Sequence, residues 1–435
     1  MRRVLRRPGV AALGTAGLLS EVGDWMLFIA LPLYVLKLTG SPLLTATVFA
    51  IELVPTVVVG PLAGVVVDRL RRWRLMTAVA ALQALCLLPL LAVDSAADLW
   101  LVYVVVVVES VLGTVVEPCR AVTAATLVPA ADRMAINQLM AIFSSVARLL
   151  GGPIGGLVLG VGGIDAVLLT DAATFAAAAA LFAVGGRGHT ARPRRDAAAP
   201  GPRARARLGD EWRDGLRVVA RSPVLRRTIG VFACAGLAQG AFVVLFVLFV
   251  VRDLGGSESD VGILRGVQAV GALAGGALLG LAARRLEPAR LVAVSLAAFG
   301  VLSLITWNAP PVTTAFALYV GLFVAAGVPG LAAMTGLLTL VQSQCADAVR
   351  GRVMSTFFAV FGGVQALGML LAGLVGTGAG LTVALQIQGA LYIAAAALAA
   401  RGASRSGLRG AAARGGRGAR AWVDRRRRCA AAQRG

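Results

Sequence analysis

The chain has 435 residues, 58% of them hydrophobic and only 14% charged, with a mean hydropathy of +0.83. A soluble globular protein carries about 25% charged residues, so this composition excludes a soluble protein and describes a polypeptide that lives mostly in lipid. The formal net charge of +21 comes from 42 Lys plus Arg against 21 Asp plus Glu, and Lys37 is the only lysine; the arginines fall in short segments between apolar runs, where the positive-inside rule explains them without a nucleic-acid partner.

With about 20 apolar residues as the length needed to cross a bilayer, the sequence predicts twelve spanning helices. Spans 1 to 6 are expected at about 10–37, 43–67, 75–94, 99–119, 138–161 and 164–185. Spans 7 to 12 follow at about 228–251, 259–283, 289–307, 312–341, 353–376 and 380–400. The fold class is therefore an all-α membrane protein of twelve transmembrane helices in two six-helix bundles, 1–185 and 228–400. Between them a basic linker, 186–227, holds twelve arginines, and its second part, LGDEWRDGLRVVARSPVLRR, could lie on the membrane as an amphipathic helix or serve as a solvated linker. The tail from Arg401 to Gly435 carries eleven arginines with Asp424 as its only acid, and its composition predicts disorder.

Loop charge sets the orientation. Arg2, Arg3, Arg6 and Arg7 precede span 1, Arg69, Arg71, Arg72 and Arg74 follow span 2, and Arg284, Arg285 and Arg290 follow span 8, all on one side. The opposite loops carry Asp94, Asp98, Asp253, Glu258 and Asp260. Both termini are expected in the cytoplasm, with a retained first helix and no signal peptide.

Several chemistries are removed by what the chain lacks. His189 is the only histidine, so neither a histidine metal site nor a Ser-His-Asp triad can be assembled. The phosphate-loop pattern GxxxxGK[ST] does not occur, and the five scattered cysteines form no disulfide framework. The expectation is a protein that is not an enzyme and needs no cofactor.

A duplication is legible in the residues themselves. Gly14, Leu38, Gly40, Ser41, Gly60, Gly64, Arg69 and Arg74 each meet the same residue 216 positions later, at Gly230, Leu254, Gly256, Ser257, Gly276, Gly280, Arg285 and Arg290. Two halves related in this way bring a substrate site near the midplane between them.

Ionisable residues inside hydrocarbon cost at least about 2.5 kcal/mol each, which makes them functional suspects. At about 1.5 Å per residue, Glu21 and Asp24 on span 1, Glu52 on span 2 and Glu109 on span 4 fall in one mid-depth layer. As anions they repel one another, which favours proton uptake and attracts cations. Glu21, Asp24 and Glu109 are the leading candidates for that site, Glu52 the next, and Arg148 and Arg265 are the available buried counter-charges. Glu117 and Arg120 read as interfacial residues that could snorkel, and Asp171 as structural. In the second half Gln239, Phe357, Phe358 and Gln365 offer a softer, more apolar cavity wall.

The stretch GPLAGVVVDRLRRWR contains GxxxDRxxR from Gly64 to Arg72. Together with SEVGDWMLFIALPLYVLKLTGS in span 1, DAATF at Asp171 to Phe175, EWRDGLRVVARSPVLR before span 7 and DAVRGRVMS before span 11, it resembles the major facilitator superfamily of secondary transporters. The resemblance is nearest to the branch of macrolide-efflux and enterobactin-export permeases, drug:proton antiporters, and covers nearly the whole chain outside the tail and part of the linker. It implies that Gly64, Asp68, Arg69 and Arg72 form a gate in which Asp68 docks on the start of span 11, where a helix N-terminus favours an anion. At the matching place in the second half Arg284 replaces the acid. Gly152, Pro153 and Gly156 partly match the GPxxGG motif of the family's exporters, and Glu109 stands where those exporters often carry arginine.

The resemblance implies proton-coupled export of a hydrophobic or cationic small molecule, a drug, secondary metabolite or siderophore, by alternating access. It also implies a monomer in a bacterial cell membrane, partnered by substrate, protons and lipid. An importer or facilitator of the same fold, and a non-transporting scaffold acting through the basic tail, are the alternatives.

Overall fold

The computed structural model describes residues 7–129, 132–188, 217, 219–282, 287–344, 347–375 and 380–401. The central part of the basic linker and the arginine-rich tail lie outside the described residues, as do the side chains of Asp68 and Arg69 and the surroundings of Gly64. Among the described residues the chain is helical between short turns. The first four helices are α1 (Pro8–Thr39), α2 (Pro42–Arg69), α3 (Arg72–Cys86) and α4 (Leu99–Thr126). A single run, Arg133–Gly185, follows them; at about 1.5 Å per residue a straight helix of that length would be roughly twice as long as a bilayer is thick. The run folds back at Gly163, whose φ of 70° and ψ of −171° lie outside helical space, and this divides it into α5 (133–162) and α6 (164–185). The second half continues with α7 (Pro223–Leu248), α8 (Glu258–Ala282), α9 (Pro288–Asn308), α10 (Phe316–Ser343), α11 (Asp347–Val375) and α12 (Gly380–Arg401).

Nine stretches among the described residues are long and apolar enough to cross a membrane, and one of them contains both α5 and α6. The chain is a multi-pass membrane protein. Differences from the expected boundaries have local causes. Helix α3 gives way to a 3₁₀ turn at Leu88–Ala92, where Pro89 has no N–H to donate. Helix α4 runs through Pro118 as far as Thr126 and so carries Arg120 inside a helix, well short of its end. Helix α10 begins at Phe316 because Pro310 and Pro311 hold the preceding segment in a turn, with Thr313 Oγ1 accepting from the N–H of Ala315 at 3.1 Å.

Within the first half α1 packs on α5 and α6, α2 on α4, and α3 on α6 and α4. In the second half α7 packs on α11, α8 on α10, and α9 on α10. Two seams join the halves, α5 against α8 and α2 against α11. The first is a contact of backbones: the oxygen of Gly262 would lie 3.1 Å from a methyl placed on Gly152, and Pro153 packs on Gly266. Such close approach is what small residues supply in membranes.

Buried apolar side chains form one cluster that crosses between the halves. It joins Met26, Leu33 and Phe49 of the first half to Phe242–Val250, Leu264, Trp307 and Met369 of the second. Toward the arginine-rich ends of the helices the core separates in two. Leu13, Met76, Ile136 and Phe182 belong to a first-half cluster, and Phe232, Leu296, Val341 and Phe357 to a second-half cluster. Among the described residues, the apolar packing between halves is thus concentrated away from the arginine-rich side.

Candidate functional site

Helices α1, α2 and α4, with Gln83 of α3, line a cavity of about 720 Å³. Asp24, Glu52 and Glu109 all line it, together with Trp25, Phe28, Gln83, Ser110 and Glu117. Three of the four acids expected in one layer therefore share one space, and its walls are otherwise mostly apolar. Asp24 presents its carboxyl to the cavity from midway along α1. Glu109 is held from α3: Gln83 Nε2 donates to Oε1, and Cys86 Sγ lies 3.0 Å from Oε2 as a weak donor. Gln83 is itself buried.

Glu21 is placed differently. Although it is three residues from Asp24, its carboxylate turns to α4, where Arg120 Nη1 donates to Oε1 at 2.6 Å. Arg120 is buried, with its side chain 7% exposed, and it does not snorkel to an interface as its sequence position suggests. Its second acid, Glu117, lies 3.4 Å away and is mostly exposed. The pair depends on Gly17 one turn below Glu21 on α1, since any side chain there would overlap the guanidinium. Breaking a buried pair of this kind leaves an uncompensated charge, so Glu21 and Arg120 act as one unit.

The arginines named as available partners stand elsewhere. Arg148 on α5 lies over the Trp25 ring at 5.0 Å, and Arg265 on α8 over the Phe242 ring at 5.1 Å. Arg265 also reaches Gln268 Oε1 at 3.3 Å. Both guanidinium groups use aromatic faces as their neighbours, a contact of cation and ring quadrupole. Trp25 thus touches both the acid-lined cavity and an arginine. Gln239 is engaged by Tyr392, whose hydroxyl donates to Oε1 at 2.9 Å and ties α12 to α7.

Asp171 on α6 is fully buried against Gly23 of α1. Thr174 Oγ1 donates to its Oδ1 at 3.2 Å, while Oδ2 has no hydrogen-bond partner among the described residues.

At the end of the bundle away from the arginines, Lys37 of α1 pairs with Glu258 at the start of α8. This contact links the two halves beside the α5–α8 seam, where Gly156 packs on Glu258 and Ser259. The helix 5 residues Gly152, Pro153 and Gly156 all face α8 in this seam. Of the gate residues, Arg72 is described as half-buried at the start of α3.

Comparison with known proteins agrees with this architecture. The family model described as "transmembrane secretion effector" matches residues 4–409. An uncharacterized MFS-type transporter of Bacillus subtilis (strain 168), YfiS, is 26% identical over 168 residues, which is 38% of this chain and 40% of that relative's own length. A crystal structure of a bacterial homologue of the iron transporter ferroportin in an inward-facing state superposes with a TM-score of 0.72 at 15% identity, covering 92% of this chain and 99% of that one. A bacterial homologue of the human lysosomal transporter Spinster, inward-facing and occupied, gives 0.71 at 14% identity over 91% and 96% of the two chains.

Proposed function

The chain belongs to the transmembrane secretion effector family of major facilitator transporters, and from that premise we propose that it exports a cationic, largely apolar small molecule in exchange for protons. The observation that carries the reading is the shared cavity: Asp24, Glu52 and Glu109 converge on a space walled by Trp25, Phe28, Leu31 and Val105. Carboxylates on an apolar ground attract a lipophilic cation, and a proton arriving at the same oxygens competes with it. Glu21 is paired with Arg120, so the proposed proton- and cation-binding set is the cavity-lining Asp24, Glu52 and Glu109.

Outward direction is supported by the family's description as a secretion effector and by the helix 5 residues that partly match the exporter motif. The arginine-rich side is assigned to the cytoplasm of a bacterial cell membrane by the positive-inside rule. Alternating access then proceeds by rocking of the halves about the α2–α11 and α5–α8 seams. Substrate enters from the cytoplasmic side, where the two cores are separate, and leaves when that side closes, the opposite side parts and outside protons neutralise the acids. Release of those protons inside restores the cation-binding form.

The test uses purified protein in liposomes with an imposed pH gradient and a lumenal pH dye, challenged with lipophilic cations, macrolides and siderophores one at a time. Substrate-dependent proton flux is expected in the wild type, and a fall of at least about a hundredfold in Asp24→Asn and Glu109→Gln, the scale of losing a positioned proton-transfer group. Flux that persists unchanged in both variants refutes the assignment of the acids. Substrate flux with no accompanying protons refutes the coupling.

A further inference from the structure

A second cavity, of about 570 Å³, opens between α3, α4 and α6 at the arginine-rich end of the first half. Arg71, Arg72, Arg74 and Arg187 all line it, and no carboxylate does among the described residues. Arg71, Arg74 and Arg187 are exposed and Arg72 is half-buried. The positive-inside rule explains arginine at this end of the molecule, but it requires neither a cavity nor the convergence of four guanidinium groups on it.

Local helix ends do not neutralise this charge. The C-terminal ends of α4 and α6 border the cavity through Thr126, Leu127 and Gly186, and each contributes only about half a negative charge. The N-terminal end of α3 adds about half a positive one, and its N-cap residue Arg71 makes no side-chain cap. Leu127 O already accepts from Arg7 Nη1 at 2.9 Å. A net excess of positive charge therefore remains, and the complementary occupant is an anion with several oxygens, a phosphate.

The remaining walls indicate what carries that phosphate. Helix α3 packs on α4 and α6, on the outside of the first bundle. Ala78 and Ala81 form its cavity wall, and Leu82 and Leu85 continue the same helical face at 51% and 61% exposure. An apolar track thus leads from the guanidinium cluster into the membrane. Trp73, set against Phe182 with ring centroids 6.4 Å apart, lines the cavity at the start of α3, the end of a spanning helix where tryptophan prefers a membrane interface. A soluble phosphate would use the arginines alone, whereas a lipid uses both the arginines and the track.

We propose that the cavity between α3, α4 and α6 binds the phosphate headgroup of an anionic membrane lipid, with an acyl chain along Ala78, Ala81, Leu82 and Leu85. Basic pockets between transmembrane helices are suited to such headgroups. The site is separate from the acid-lined cavity, and it requires only that the chain lie in a membrane, not that it export or couple to protons.

The test is native mass spectrometry of the full chain in detergent, delipidated and then titrated with phosphatidylglycerol or with phosphatidylcholine of the same acyl chains. Wild type should retain phosphatidylglycerol in preference to phosphatidylcholine. Arg74→Gln combined with Arg187→Gln should weaken that retention about thirtyfold, at about 1 kcal/mol per arginine. The charge-matched control, Arg226→Gln with Arg290→Gln, should change it less than about twofold on the same scale. Ala81→Trp leaves every charge in place and fills the wall, so it should also reduce retention. Equal losses in the two arginine pairs would mean a diffuse surface charge and overturn the site. No effect of Ala81→Trp in a monodisperse protein overturns the acyl track. Displacement of phosphatidylglycerol by equimolar glycerol phosphate would identify a soluble-anion site and overturn the lipid.

Discussion

Replacing Arg120 by glutamine tests whether the Glu21–Arg120 pair is the structural unit described above. The two side chains are 16% and 7% exposed and meet at 2.6 Å. Removing one member of a buried pair costs about 3–5 kcal/mol because the other charge is stranded. Glu21 keeps some solvent access, so the lower end applies, about 3 kcal/mol, or roughly a hundredfold in the folded-to-unfolded ratio. Glu117 offers little compensation, since it is mostly exposed and its share of the interaction is at the scale of surface pairs. The decisive comparison is the double variant Glu21→Gln with Arg120→Gln, which strands nothing and should lie within about 1 kcal/mol of wild type. The assay is equilibrium unfolding of the full chain in detergent micelles by denaturant titration, with all four corners of the cycle measured. A double variant as unstable as Arg120→Gln alone, or an Arg120→Gln protein as stable as wild type, would refute the reasoning.

Two further outcomes follow from backbone geometry and from surface electrostatics. Gly163→Ala places a side chain where φ is 70° and ψ is −171°, a region open essentially to glycine alone, and should cost about 1–3 kcal/mol in the same unfolding assay; a smaller loss would mean that the α5–α6 turn has another conformation. Lys37→Ala with Glu258→Ala removes an ion pair whose lysine is 64% exposed, so by the scale of surface bridges it should shift the balance between outward-open and outward-closed states by no more than about fivefold, read by accessibility of an engineered cysteine from the Lys37 side.

The sequence carried the architecture because lipid makes the pattern simple: twelve apolar runs, and arginine on alternate loops. It also brought Asp24, Glu52 and Glu109 to one depth, and the structure has them lining one cavity. Depth, however, is a one-dimensional coordinate, and it does not say which way a side chain turns. Glu21 and Asp24 are three residues apart and share a depth, yet the α4 contact across Gly17 takes Glu21 out of the layer. Arg120 was hidden for a related reason. Span 4 reads as ending near residue 119 when apolar content alone is counted, and the helix in fact continues to Thr126, because a buried ion pair lets a charged turn remain inside the bundle. The support of Glu109 by Gln83 and Cys86 spans two helices, and no local pattern encodes such a register. Convergence of Arg71, Arg74 and Arg187 on one cavity likewise depends on α6 ending beside the start of α3.

The side opposite the arginines is joined by two unlike kinds of contact, and their magnitudes decide which one holds it. The lysine of the Lys37–Glu258 pair is largely exposed, and a pair of this kind contributes about 1 kcal/mol. Hydrophobic transfer adds little between helices already in lipid, so the work falls on packing. There the seam is dense: Gly152 and Gly262 bring two backbones together, Gly156 packs on Glu258 and Ser259, and Met26, Leu33 and Phe49 of the first half join one buried cluster with second-half side chains. A buried side chain in such a face makes tens of carbon contacts of about 0.1–0.2 kcal/mol each, so the packed face outweighs the ion pair. Parting that side must therefore separate a packed surface, and the ligand or proton that drives it has to act through the helices that carry the seam. Helix α1 is placed to reach them: it packs on α5, Asp24 opens on the acid-lined cavity, and Met26 and Ile29, two and five residues on, belong to the cluster that crosses between the halves.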